Sequence, residues 1–223
     1  MTTTAVVPMR HHSERVKGKN YRPLGDRPLY HHIVRTLLDV DAIDEIVIDT
    51  DSELIGEDAA RHFPSIRILE RPAHLRAGDI SMNVVLRNTL TQIDADTVVQ
   101  VHSTNPFVRA PTLQQALDLY RSDPQIDSIF SVTRIQGRLW DAELRAINHD
   151  PDVLLRTQDL EPVYFENSCF YVFSRESFER RMSRIGEHPA IIELSGDESV
   201  DIDEEHDFQL AETIWERQLR QGA

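Results

Sequence analysis

Short apolar runs and helical patterns take turns along this chain, and that alternation constrains the fold more than any other feature. "TAVVPM" (4–9), "DEIVIDTD" (44–51), "SIRILE" (65–70), "DTVVQVH" (96–102), "DSIFSVTRI" (127–135), "SCFYVF" (168–173) and "AIIEL" (190–194) read as strands. A helix from about Pro28 carries Leu29, Ile33, Leu37 and Leu38 on one side. "SELIGEDAARHF", with Asp51 and Ser52 able to cap it, "SMNVVLRNTLTQI", "TLQQALDLY" and "RESFERRMSRI" follow in the gaps as further helices. The ending "SVDIDEEHDFQLAETIWERQL" reads as a strand that turns into a long helix, with Asp207 as cap and Phe208, Ala211, Ile214 and Trp215 at helical spacing. The expected fold is therefore α/β, a Rossmann-like, mostly parallel sheet flanked by helices. At 223 residues the chain suits a single domain, 1–223. Only Gln136 to Glu166 breaks the pattern, with Pro151, Pro162 and "RLWD", and it reads as a small lobe inserted into the sheet.

Composition removes several function classes. Acidic residues exceed basic ones by 38 to 24, a net charge of −14 that argues against a nucleic-acid-binding surface but not against a local basic pocket. No apolar run approaches the roughly 20 residues a membrane span needs, and the start resembles no signal or transit peptide, so a soluble cytoplasmic protein is expected. Cys169 is the sole cysteine, which excludes an internal disulfide, and its apolar flanks predict a buried, inert thiol.

Two stretches carry candidate chemistry. "MRHHSERVKGKN" follows the first strand and gathers Arg10, Arg15, Lys17 and Lys19 in a glycine-containing loop that leads to a helix. Cations and backbone N–H groups at a strand end hold phosphate well, although neither a P-loop nor G-x-G-x-x-G is present. The alternative is a solvated basic loop. In "VDID", an extended backbone sends Asp201 and Asp203 to one face, where paired carboxylates suit Mg²⁺ completed by phosphate oxygens. The alternative there is an acidic lead-in to a helix N-terminus. The adjacent pairs His11-His12 and His31-His32 point apart and chelate one ion poorly, so the second pair is assigned to a helix surface or to packing. His102, at a strand end, is better placed for function.

Taken together, "MRHHSERVKGKN", "YRPLGDRPLYHHIV", "IVIDTDSELI", "ERPAHL", "VHSTNPFVR", "FENSCFYVF" and "SVDIDEEHDF" resemble, in order, the acylneuraminate cytidylyltransferases, with the CMP-Kdo synthetases further off. The resemblance implies a fold of the nucleotide-diphospho-sugar transferase type. It also implies Mg²⁺-dependent transfer of CMP from CTP to the anomeric hydroxyl of a 2-keto-3-deoxy sugar acid. Arg10 and Lys19 match the residues that hold the triphosphate, Ser13 and Asn20 the neighbouring serine and asparagine, and Arg71 the arginine that helps read the base. Gln100 or His102, with Thr104, match the acceptor segment; Asn167 is retained in "FENSC", the stretch after the insert that also faces the acceptor, and Asp201 and Asp203 match the magnesium pair. The catalytic set implied is Arg10, Lys19 and Asp203, and the lobe is implied to form a homodimer.

Two departures bear on the acceptor. Glu14 stands where lysine is common, beside Arg15, and the basic residue expected near "FENSC" is absent, which makes Arg156 a substitute candidate. CTP with another acceptor, such as a phosphonate or a different sugar acid, stands as an alternative, as does a non-catalytic nucleotide-binding protein. A GT-A-like glycosyltransferase fits less well, because its D-x-D normally lies in mid-chain.

Overall fold

A computed structural model describes residues 2–194 and 196–222. Strand β1 (Thr3–Met9) leads through a long loop and a two-residue hairpin, β2 (Pro23–Leu24) and β3 (Arg27–Pro28), into helix α1 (Leu29–Leu38). Then come β4 (Glu45–Thr50), α2 (Glu53–His62), β5 (Arg67–Glu70), α3 (Met82–Leu90), β6 (Thr97–Val101) and α4 (Ala110–Ser122). Strands β7 (Ser128–Ile135) and β8 (Val163–Ser174), α5 (Arg175–Arg181), β9 (Pro189–Glu193) and α6 (Glu205–Gly222) complete the chain. Seven strands form one sheet in the order β5-β4-β1-β6-β8-β7-β9. The β5-β4-β1-β6 half is parallel, and β8 alone runs antiparallel to its two neighbours. No described helix is long and apolar enough to cross a membrane.

Period-two alternation divides the core. Ala5, Val7 and Met9 of β1 face α1, α2 and α4 with Ile33, Val34, Leu37, Ile55, Ala59, Leu113 and Leu117, while Val6 faces the other way with Leu86, Leu90 and Phe178 of α3 and α5. Both faces of the central strands are covered, so they read as continuous apolar runs. A third cluster, Val16, Leu24, Leu29, Phe107, Ile202, Phe208, Ala211 and Ile214, lies under α6. It joins the loop after β1 to the segment before α6, and each fully buried aliphatic side chain in it contributes roughly 2 kcal/mol. At the hairpin, Gly25 (φ +66°) packs so closely on Trp215 that a Cβ would fall 1.9 Å from Nε1 of the indole.

Four expectations change. Leu38, placed on the buried side of α1, is 47% exposed at the last position of the helix. "VDID" is not a strand, because residues 200–203 are irregular and follow a 3-10 turn at Gly196–Ser199. Asp207 sits inside the first turn of α6 rather than at its cap, and its Oδ2 accepts from the N–H groups of Asp203 (3.0 Å) and Glu204 (2.7 Å). Residues 163–166, assigned to the lobe, belong to β8, where Val163–Glu166 pair with Ile135–Val132 of β7. The inserted lobe is thus an extension of the β7–β8 hairpin, tipped by one isolated bridge between Trp140 and Ala146 and a 3-10 turn at Thr157–Asp159.

Candidate active site

After β1 the sheet grows toward β4 and β5, and afterwards toward β6, so the carboxyl ends of β1 and β6 flank the switch point where open α/β sheets bind ligands. A cleft of about 560 Å³ opens there. Arg10, His12, Ser13, Glu14, Arg15, Lys19 and Asn20 line one wall, His102, Ser103, Thr104, Asp201 and Asp203 another, and Arg71 and the Leu75–Val85 stretch close it.

The basic loop holds its shape through its own apolar residue. Val16 is buried in the cluster under α6, so its charged neighbours Arg15 and Lys17 are turned outward. Gly18 then adopts φ +64°, a conformation other residues take at a cost, and starts the 3-10 turn Lys19–Tyr21. Lys19 is only 9% exposed. Its Nζ donates to the Ile202 carbonyl at 2.5 Å and lies 3.4 Å from Asp203 Oδ1, while Arg15 Nη2 reaches the same oxygen at 2.8 Å. Asn20 acts as a strut, donating to the Arg10 carbonyl (2.8 Å) and accepting from Ser103 Oγ (2.7 Å). It thereby ties the loop after β1 to the loop after β6.

The acidic wall follows the same logic. Ile202 is fully buried in that cluster, so Asp201 and Asp203 on either side of it both face the cleft although no strand is present. Burial holds the Asp201 carboxyl above the usual range, Thr104 opposes this by donating to it, and Asp203 adds repulsion. The Asp201 Oδ1 atom is buried with no hydrogen-bond partner among the described residues. An orphaned carboxylate oxygen beside a second, half-exposed carboxylate fits a hard divalent cation.

The other wall is fixed by a buried ion pair. Arg71, 2% exposed, donates from Nε to Asp49 Oδ1 (2.7 Å) and from Nη2 to the Asp49 carbonyl (3.0 Å), and Thr89 Oγ1 satisfies Oδ2 (2.5 Å). The His102 ring has an unpartnered, buried Nε2, and burial, reinforced by Arg184 and Lys19, pushes its pKa down to about 4. The ring is therefore neutral at physiological pH.

A family model described as "Cytidylyltransferase" matches residues 4–220. The chain belongs to the cytidylyltransferase family. Among curated proteins, this cytidylyltransferase is 28% identical over 229 residues to the CMP-N,N'-diacetyllegionaminic acid synthase of Legionella pneumophila, covering 97% of each chain. It is 24% identical to the N-acylneuraminate cytidylyltransferase of Escherichia coli over 97% of its own length, and it spans 53% of that longer protein. Its fold matches a CMP:2-keto-3-deoxy-manno-octonic acid synthetase complexed with CTP at a TM-score of 0.70 and 15% identity, covering 98% and 100% of the two chains. It also matches a 4-diphosphocytidyl-2C-methyl-D-erythritol synthase from Anaerococcus prevotii, at a TM-score of 0.70 and 13% identity over 96% of each. The chain is a nucleotidyltransferase, and its resemblance to the acylneuraminate cytidylyltransferases stands on these relatives.

Of the residues proposed from sequence, the cytidylyltransferase brings Arg10, Ser13, Lys19, Asn20, Arg71, His102, Thr104, Asp201 and Asp203 to the cleft. Three lie elsewhere. Gln100 is buried behind it, its Oε1 accepting from Arg184 Nη1 at 2.7 Å. Asn167 is buried at the β7–β8 irregularity, bonded to Ser131 (2.6 Å) and Thr133 (3.0 Å). Arg156 is exposed on the lobe and paired with Asp159 at 2.7 Å. Arg109, also in the acceptor segment, pairs outside the cleft with Glu198 at 2.7 Å. Cys169 is fully buried, and burial pushes its thiol up to about 12, in keeping with an inert role.

Two residues escaped the sequence reading. Ser168 lines the cleft with φ 58°, next to the shift in β7–β8 register between Phe130 and Val132. Such strained non-glycine backbone gathers at functional sites. Arg184 lies with its guanidinium 3.9 Å over the Tyr171 ring, and burial lowers its pKa. Among the described residues it has no carboxylate within ion-pair distance. The only advance signal for Ser168 was its place beside Asn167, and for Arg184 there was none.

Proposed function

We propose that this cytidylyltransferase transfers CMP from CTP to the anomeric hydroxyl of a nonulosonic, sialic acid-like 2-keto-3-deoxy sugar acid, with release of pyrophosphate and with Mg²⁺ as cofactor. The observation that carries this reading is the convergence of Arg10 and Lys19 from the start of the chain with Asp201 and Asp203 from its end in one cleft at the switch point. The two curated relatives above support the class of acceptor by their names.

In this reaction the acceptor hydroxyl oxygen bonds to the α-phosphorus and its proton passes to solvent, the bond from that phosphorus to the bridging oxygen breaks, and pyrophosphate leaves with the negative charge. The protein's task is positioning and charge stabilisation. Arg10 and Lys19 balance the triphosphate, with Lys19 held in place by the Ile202 carbonyl, and Ser13 adds a hydroxyl. Asp201 and Asp203 would hold the magnesium ion, which when bound neutralises phosphate charge and lowers the pKa of the attacking hydroxyl. Arg15 and Lys19 neutralise Asp203 in the free chain, so binding exchanges these internal pairs for pairs with ligand. Arg71, locked on Asp49, shapes the wall assigned to the base.

On the acceptor side, Arg184, in the segment after α5, supplies a partly buried cation that stacks on Tyr171 of β8 and makes no ion pair within contact distance among the described residues, although the Glu166 carboxylate acts on it from farther off. It meets the sugar acid's carboxylate in this reading, the position the sequence left vacant. Neutral His102 offers a hydrogen bond to a sugar hydroxyl without adding charge. A homodimer built through the lobe would cover its exposed apolar side chains and bring Arg156 to an interface.

Pyrophosphate release with CTP and Mg²⁺, measured against N-acetylneuraminic, legionaminic, pseudaminic and 2-keto-3-deoxyoctonic acids and a phosphonate, tests the reading. Turnover with a nine-carbon 2-keto-3-deoxy acid is expected. Release only with the phosphonate, or with none of the panel, would refute it.

A further inference from the structure

We infer that His31, Asp58 and His62 form a second metal site, of the zinc class, at the junction of α1 and α2. It is separate from the cleft, and none of its three residues lines that cleft.

Asp58 and His62 are four residues apart on α2, so both project from one face of the helix, and His31 reaches them from the first turn of α1. One ligand atom from each residue lies within 4.8 Å of the other two. His31 Nε2 stands 2.6 Å from Asp58 Oδ2, and His62 Nδ1 stands 3.1 Å from Asp58 Oδ1, so the two imidazoles approach different oxygens of one carboxylate.

A tetrahedral ion with bonds of about 2.0–2.2 Å holds its ligand atoms roughly 3.3 Å apart. Binding therefore requires that the His31–Asp58 contact open by about 0.7 Å and that His62 Nδ1 leave the Asp58 carbonyl it stands 2.9 Å from, and His62, with a 46% exposed side chain, is free to adjust. Two imidazoles and one carboxylate suit zinc, cobalt or nickel rather than magnesium.

The surroundings favour ligation. With its proton on Nδ1 rather than Nε2, the His31 ring turns the lone pair the ion needs toward Asp58. Phe63 packs edge-on against His31 with ring centroids 4.7 Å apart, which shields that side. The Tyr30 hydroxyl bonds Asp58 Oδ2 and orients the carboxylate, as partners of metal ligands do. The exposed His62 side leaves an entry path and room for water as a fourth ligand. The ion would pin the first turn of α1, which the β2–β3 hairpin joins to the loop that carries Lys19, to α2.

The test is a Co²⁺ titration of the untagged full chain, followed by visible absorption, with Zn²⁺ competition and thermal unfolding alongside. One Co²⁺ per chain with intense tetrahedral bands is expected, displaced by Zn²⁺, with a rise in Tm on adding Zn²⁺. His62→Gln, at an exposed position, should lose both the bands and the Tm rise while keeping the metal-free Tm. Asp58→Asn should lose the bands too, and Asp203→Asn in the cleft should keep them. Absent bands, bands that survive His62→Gln, or bands that vanish in Asp203→Asn would each overturn the assignment. None of these results bears on CTP binding, so the two readings can fail separately.

Discussion

In the cleft, charged side chains from opposite ends of the chain satisfy one another, Lys19 and Arg15 with Asp203, and the nearer pair Arg71 and Asp49 fixes the far wall. In the lobe between β7 and β8 and on the adjoining arm of β8, large apolar side chains stand in water, with Leu154 88%, Leu144 78%, Trp140 49% and, on β8, Phe165 59% exposed. A pocket whose groups are already held needs little ordering when a ligand arrives, since the walls are set by burial of Val16 and Ile202 and by the Asn20 strut. A lobe with an unpartnered apolar surface is built to be covered. The comparison separates what one chain completes by itself from an apolar surface that we propose a second copy covers.

The largest expected effect breaks the cleft. Asp203→Asn removes one of the two carboxylates yet leaves the Val16–Ile202 packing intact, so kcat should fall on the order of 10³-fold, about 4 kcal/mol of transition-state stabilisation. The thermal melt should move by no more than a few degrees. Near-normal turnover in this variant would remove the metal role.

On the lobe side, the double variant Leu154→Asp, Phe165→Asp should weaken self-association by at least about 100-fold, because it places charge in an apolar interface. Sedimentation equilibrium reads this directly, and a wild-type chain already monomeric at micromolar concentration would contradict the expectation. The sheet body should melt as before, since neither side chain belongs to its core.

Arg184→Met keeps much of the stacking on Tyr171 and deletes the charge. A charge-assisted hydrogen bond to a carboxylate is worth roughly 2 kcal/mol, so the acceptor KM should rise about 30-fold with the CTP affinity unchanged. A parallel loss of CTP binding would show that Arg184 supports the fold of the cleft instead.

The smallest effect concerns pH. With its pKa pushed down to about 4 by burial, the folded His102 ring stays neutral where an unfolded one, at 6.5, takes up a proton. This lowered pKa means its contribution is complete above pH 6.5 and is lost as pH falls toward 4, on the order of 1 kcal/mol for a partly solvated ring. Denaturant melts of wild type and His102→Gln at pH 7.5 and 5 should show the gap between them narrowing in acid. A gap that stays constant would place the titration elsewhere.

The same contrast between local and distant structure explains what could be read from the sequence. Strands and helices of the sheet were legible because burial on both faces leaves continuous apolar runs and helical spacing. The two charged motifs were legible because each is contiguous. The backbone of "VDID" was misread because an extended loop anchored by one buried isoleucine has the same period of two as a strand. Its N–H groups go to Thr104 and Asp207 rather than to a neighbouring strand. The early start of β8 was hidden because Tyr164 and Phe165 lie on an exposed hairpin arm, where apolar residues do not mark a core. The pairing of Gln100 with Arg184 was out of reach for another reason, since the two meet across 84 residues and Arg184 stands in no motif.

The central claim is that the cations after β1 hold a triphosphate, and calorimetric titration with CTP in magnesium, against ATP, GTP and UTP, tests it most directly. The account predicts selective CTP binding that Arg10→Ala and Lys19→Ala each destroy, with both variants folded. No binding of any triphosphate, or CTP binding unchanged in both variants, would contradict it.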